Sequence, residues 1–281
     1  LYSSAASDVY KRQNSSDTEM TSAIKTCNDN GVYLAQFFRI ISETNSADIY
    51  QAAKDSAYYI GAVHEDEPAN GEALVNILLD KGDRDIGLIG WEQGDATWLG
   101  RWEGYKAGVD KWNEAHPDDP AQLSEPQYAG TTSEGGSKAA EALMAADPNL
   151  DALIPAGGGG DPLQGAIAAV ERAGKTQDID IVSTDFLPDL GDRLENGSMA
   201  GESGGHYCDP LIAFMMVYNA IKGNYTGFAG NFEDVSFPYL YVSSAEDYQA
   251  YEKYFVDQLP YTSDELVEMS NLDLSLSLIH I

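Results

Sequence analysis

Apolar runs of strand length alternate with stretches of helical period along the whole chain, and that alternation restricts the fold more than any other feature. Strands are expected at Val32–Phe38, Tyr58–Val63, Asp85–Gly90, Asp151–Pro155, Ile179–Ser183 and Phe237–Val242, with weak ones near Pro126–Ala129 and Met199–Glu202. Helices are expected between them at Ser16–Asn28, Asp48–Ser56, Asn70–Leu79, Thr97–Glu114, Ser137–Ala146, Pro162–Ala173, Leu187–Glu195 and Pro210–Ile221. Lys81-Gly82 supplies a basic last turn and a glycine stop, and Ser243 to Glu246 has capping-box spacing that opens a helix through Phe255. Trp98, Trp102, Tyr105, Val109 and Trp112 share one face, as a helix packed on a sheet requires. Pro210–Ile221 is apolar all round, which predicts a buried helix too short to span a membrane. Strand–helix units in this order build a parallel sheet with helices on both faces, so the fold class is α/β.

The functional classes narrow by exclusion. A length of 281 residues suggests two domains. The 46 acidic residues against 16 basic ones give a net charge of −30, and such a surface repels phosphate backbones and anionic membranes. Nucleic acid is therefore not an expected partner, and no apolar run reaches the ~20 residues of a membrane span. Two cysteines cannot build a disulfide framework or a thiolate cage. No Gly-x-Ser-x-Gly elbow, His-Glu-x-x-His pair or phosphate loop is present, and His64, His116 and His206 lack metal-ligand spacing. Neither catalysis, nor a cofactor, nor a metal is expected. Glu65, Asp66 and Glu67 form a charge run that reads as a solvated turn before Pro68.

In parallel α/β sheets, ligands sit outside the carboxyl ends of the strands. Those positions hold Arg39 behind Phe37-Phe38, Trp91 with Glu92, Gln93 and Asp95, Gly157–Gly160 with Asp161, Thr184-Asp185-Phe186, and Ser203-Gly204-Gly205-His206. Aromatic faces, carboxylates, an arginine and bare backbone are the mixture that recognises a pyranose ring and its hydroxyl pairs. The four-glycine stretch is not a dinucleotide fingerprint, because Asp161 as N-cap and Pro162 at the first helical position explain its end.

The two ends of the chain are related in an unusual way. Asp8–Gln13 can be encoded by codons whose reverse complement encodes Leu-Ser-Leu-Ile-His-Ile, the sequence of Leu276–Ile281. The pair resembles a transposon-derived sequencing adapter, so residues 1–13 and 276–281 are expected to be foreign to the fold, and the chain a fragment.

Several stretches, in order, resemble the type I periplasmic-binding-protein fold, and within it the ribose- and galactose-binding-like solute receptors of ABC importers. They are Ala23–Arg39, Tyr58–Gly61, Gly87–Gly90 with Arg101–Tyr105, Asp147–Leu153 with Gly165–Ile167 and Ala173–Lys175, and Ile181–Asp185. The resemblance implies two lobes with parallel sheets, joined by three crossover strands and closing on a ligand by hinge motion. It divides the chain into an N-terminal lobe, 14–63 plus 207–236, and a C-terminal lobe, 64–206 plus 237–275. The first lobe is expected to be incomplete, because the family's opening strand–helix block is missing before Ser16. Family ligand positions fall on Arg39, Asp185, the Gly205-His206 region and Gly159, where the family carries asparagine. Phe38 stands where the family often has aspartate, and an arginine looked for early in the Trp98 helix falls at Leu99 or its neighbours. Trp91, Trp98 and His206 are expected to compensate. The function so implied is capture of a small polar ligand, a sugar foremost, outside the cytoplasm for an ABC permease, by a monomeric, non-enzymatic protein, free in a periplasm or lipid-anchored. The alternatives are the effector-binding domain of a lactose-repressor-type regulator and an enzyme on a Rossmann-like sheet.

Overall fold

The computed structural model describes residues 17–44, 46–157, 161–206, 209–258 and 260–271. In chain order it holds α1 (Asp17–Asp29), β1 (Leu34–Phe37), α2 (Ala47–Asp55), β2 (Tyr59–Glu65), α3 (Glu67–Lys81), β3 (Asp85–Gly90), α4 (Ala96–Ala115), β4 (Gln122–Leu123), β5 (Gln127–Tyr128) and α5 (Ser133–Ala146). There follow β6 (Ala152–Pro155), α6 (Asp161–Arg172), β7 (Asp180–Thr184), α7 (Leu190–Asn196), β8 (Gly201–Gly204), α8 (Asp209–Lys222), β9 (Glu233–Phe237), β10 (Leu240–Val242), α9 (Ala245–Tyr251), a π turn (Glu252–Val256) and α10 (Ser263–Met269). Local chemistry fixes many boundaries. Asp66, Asp95 and Thr132 accept the N–H three residues on and so cap α3, α4 and α5, while Gly82, at φ +110°, stops α3 as the sequence predicts.

The chain forms two units, the described parts of Leu1–Glu65, His206–Phe237 and Pro260–Ile281, and of Asp66–Gly205 and Pro238–Leu259. In the first unit β1, β2 and β9 make a parallel sheet in that order, with Phe37 opposite Val63 and Glu65 opposite Phe237. Ile24, Ile49, Ala53 and Tyr59 form one core cluster, and Ile60, Val63, Ile212, Met216 and Val235 another. β2 is buried along its whole length, polar residues included, because a partner strand lies on each side and its side chains pack into the two cores, Tyr59 in one and Ile60 and Val63 in the other. The helix expected to be buried all round is half so: α8 turns Ile212, Met216 and Ala220 to the sheet, and Phe214 and Ile221 are exposed. The described end of the chain also differs from the expected division. Leu266 and Met269 of α10 pack in the first unit, where Asn219 Nδ2 donates to the Met269 carbonyl at 2.9 Å.

The second unit holds a sheet in the order β10-β8-β7-β6-β3-β4, with β5 also on β3; all pairings are parallel except β10 on β8. Leu143, Leu163, Ile167 and Ile181 form one core, Leu74, Leu78, Ile86, Trp98 and Tyr105 the other. The single strand expected over Phe237–Val242 is two strands, because Pro238 has no N–H to offer a ladder; β9 belongs to the first unit and β10 to the second.

Candidate functional site

In the second unit the carboxyl ends of the parallel strands deliver Trp91 after β3, Gly157 after β6, Asp185 after β7 and Gly205 after β8. Helices α3 and α4 add a buried charge pair. Where they cross, a Cβ on Gly71 would strike the Arg101 carbonyl, and one on Gly104 the Pro68 carbonyl, so only glycine allows this approach. It seats Arg101, 2% exposed, against Glu67. Arg101 Nε donates to Glu67 Oε2 at 2.6 Å, Nη2 to the Tyr239 hydroxyl at 3.2 Å, and that hydroxyl donates to Glu67 Oε1 at 2.9 Å. Trp91 stacks near the guanidinium, 5.2 Å from ring centre to Cζ. Burial works against the arginine's charge, but Glu67 outweighs it and holds the pKa well above the ordinary value. Arg101 Nη1 is buried and has no hydrogen-bond partner among the described residues.

Asp185 follows β7 in a left-handed conformation, φ +73°, with its N–H donating to the Ser203 carbonyl at 2.7 Å. Its charge acts on both Arg101 and Glu202. Glu202 is fully buried and accepts the Leu187 N–H at 2.7 Å; burial, only partly offset by that bond, pushes its pKa up to about 8. Beneath lies a neutral network in which Asn70 Nδ2 donates to Thr184 Oγ1 at 3.1 Å and Ser203 Oγ does so at 3.0 Å. A planar guanidinium with a spare donor, an indole face and a carboxylate on a fixed turn can together grip adjacent hydroxyls and a sugar ring face.

The first unit has its own cluster at the carboxyl ends of β1 and β2. Phe38 follows β1 at φ +67°, its ring edge-on to Phe37 at 4.7 Å and to His206 at 5.0 Å. His206 Nδ1 lies 2.5 Å from Glu65 Oε1, and Asp209 opens α8 beside them. Burial and the neighbouring Glu65 carboxylate raise the Asp209 pKa to about 8. His64 points elsewhere: Nε2 donates to Asp234 Oδ1 and Nδ1 to the Glu65 carbonyl, both at 2.9 Å. Both partners are acceptors, so the two bonds favour the protonated ring. Burial opposes that charge, yet the two bonds prevail and raise its pKa.

The structure thus sets Trp91 against Arg101, on which the charge of Asp185 acts, in one unit, and His206 against Phe38 and Glu65 in the other. Trp98 is fully buried in the core, its ring against Gly90, where a Cβ would come within 2.8 Å of it. Arg39 is half-buried one residue past Phe38, its carbonyl accepting Gln36 Nε2 at 3.0 Å. Gly159 lies outside the described residues. Leu99, where an arginine was expected, is exposed, and the buried arginine of this helix is Arg101, two residues on. The charge run expected to be solvated is not, since Glu65 and Glu67 are buried and Asp66 caps α3. Sequence reasoning passed over Arg101, Glu67, Tyr239 and Asp209. Only Gly104, three residues after Arg101, hinted at a close helix crossing.

Comparison with known proteins extends this picture. The periplasmic binding protein domain family matches residues 13–223. An ABC transporter solute-binding protein from Agrobacterium vitis, bound with alpha-D-tagatopyranose, is 17% identical with a TM-score of 0.64, over 81% of this chain and 72% of its own. A periplasmic solute-binding protein from Actinobacillus succinogenes, with bound D-allose, is 16% identical with a TM-score of 0.66, over 82% and 74%. The binding component of the arabinose ABC transporter from Shewanella sp. ANA-3, bound to L-arabinofuranose, is 20% identical with a TM-score of 0.63, over 83% and 72%. No curated protein matches the chain. The α/β units with parallel sheets, the matching solved folds and the match over most of the sequence agree: the chain belongs to the periplasmic binding protein domain family.

Proposed function

We propose that this protein captures a small polar solute, a sugar foremost, outside the cytoplasm and presents it to the permease of an ABC importer, without catalysis of its own. The observation that carries this reading is the Arg101–Glu67–Tyr239 lock beside Trp91, with a buried guanidinium nitrogen left over, and Asp185 on the strained turn after β7. That set offers fixed donors, a fixed acceptor and a ring face. The proteins of like fold that hold tagatose, allose and arabinose support a monosaccharide as the solute.

Titration calorimetry of the full chain against D-tagatose, D-allose, L-arabinose and myo-inositol tests it. At least one should bind and raise the melting temperature, and Asp185→Ala should weaken it at least about tenfold, a loss of roughly 1.4 kcal/mol. If none of the panel binds, the sugar reading is wrong; an unchanged affinity in Asp185→Ala removes that residue from the site.

A further inference from the structure

Glu65, His206 and Asp209 each offer one ligand atom, and the three atoms lie within 4.8 Å of one another. Glu65 is the last residue before the chain leaves the first unit, His206 the first after it returns, and Asp209 the first residue of α8. The cluster is not a surface patch: Glu65 is 2% exposed and Asp209 is fully buried. Among the described residues, neither Asp209 oxygen meets a hydrogen-bond donor. A buried carboxylate without donors is costly, and either a retained proton or a bound cation relieves that cost.

From this geometry we infer that Glu65, His206 and Asp209 form a binding site for one divalent transition-metal ion of the zinc or manganese type. Two carboxylate oxygens and one imidazole nitrogen neutralise a doubly charged ion and match its preferred donors, whereas calcium takes six to eight oxygens. Ligand distances of about 2.0–2.2 Å place donor atoms roughly 3–3.5 Å apart, so the present cluster closes around an ion with small side-chain shifts. The 2.5 Å contact of His206 with Glu65 opens slightly in the process. Supporting contacts already orient the ligands. Phe38 sets its edge against the His206 ring, nearly perpendicular at 88°, and the His64 bond to the Glu65 carbonyl pins the end of β2. Three protein ligands leave further positions for water. The observation that carries the sugar reading lies in the second unit, whereas His206, which the resemblance makes a sugar contact, is here a metal ligand.

The test uses the full chain, stripped with a chelator and kept at about 0.15 M salt, which screens diffuse attraction to the acidic surface. Cobalt(II) should saturate at one ion per chain with a visible absorption band, and zinc should displace it and raise the melting temperature. Asp209→Asn and His206→Gln should each weaken binding at least about tenfold with the far-ultraviolet circular dichroism unchanged. His206→Gln keeps the test open if the buried aspartate variant folds poorly. Absence of saturable binding, or wild-type affinity in His206→Gln, overturns the site. Because sugar affinity is measured separately, failure here and failure of the sugar reading are told apart.

Discussion

Phe38 and Asp185 are the non-glycine residues with positive φ among those described, and each directly follows the carboxyl end of a parallel strand. An L-residue in that region costs about 1–2 kcal/mol, less for aspartate, which tolerates it best. The turn places Asp185 where its charge acts on Arg101, while its N–H keeps the sheet going to Ser203. Asp185→Gly should therefore raise unfolding stability in urea by about 0.5–1 kcal/mol while lowering sugar affinity at least tenfold. A variant that lost stability instead would show that the turn is not strained. The position of Asp185 after a strand was legible in the sequence, because strand ends are local patterns. The burial of Arg101 and Glu67 was not. One sits within an aromatic helix face and the other within a charge run, and only the crossing of α3 with α4 gives either a partner.

At the scale of elements, that crossing is governed by glycine. Gly71 and Gly104 let the backbones of α3 and α4 touch, and Gly108 makes room for Val75 in the next turn. Gly104→Ala forces α4 away from the Pro68 carbonyl, so we expect a loss of about 1–3 kcal/mol in urea unfolding with helical content retained. The indole fluorescence of Trp91 should change as Arg101 withdraws from it. A silent Gly104→Ala would mean that the helices have slack. Strand and helix order was readable nearly throughout, because period and caps are local. The Pro238 break was misread because Phe237–Val242 is apolar enough for one strand, and what divides it is a change of partner sheet. The same limit hid the outer side of α8, where composition alone does not tell which neighbour will be present.

For the whole molecule, charge sets the response to pH. With a net charge of −30, the chain repels itself above its acidic isoelectric point. Several buried carboxyls act in the same direction: Glu202 is raised to about 8 and Asp83 to about 7, both mainly by burial. Between the ordinary carboxylate range and these values, the folded protein holds protons that the unfolded chain releases, so stability falls as pH rises through that window. His64 adds to the slope, since its contribution is complete below the ordinary histidine value and is lost as pH rises through its raised one. The urea midpoint should be higher at pH 5 than at pH 8. Glu202→Gln should flatten part of the slope, each pKa unit being worth about 1.4 kcal/mol; an equal midpoint at both pH values would contradict the assignment. The division of the sequence between the two units also has a bearing on synthesis. The first unit holds β1 and β2 together with β9, so the apolar faces of β1 and β2 emerge from the ribosome well before β9. Most of the second unit, from Asp66 to Gly205, is translated in that interval. A nascent chain of this kind leaves one unit open while the other is made, and the uncovered strands of β1 and β2 are where a chaperone would be needed.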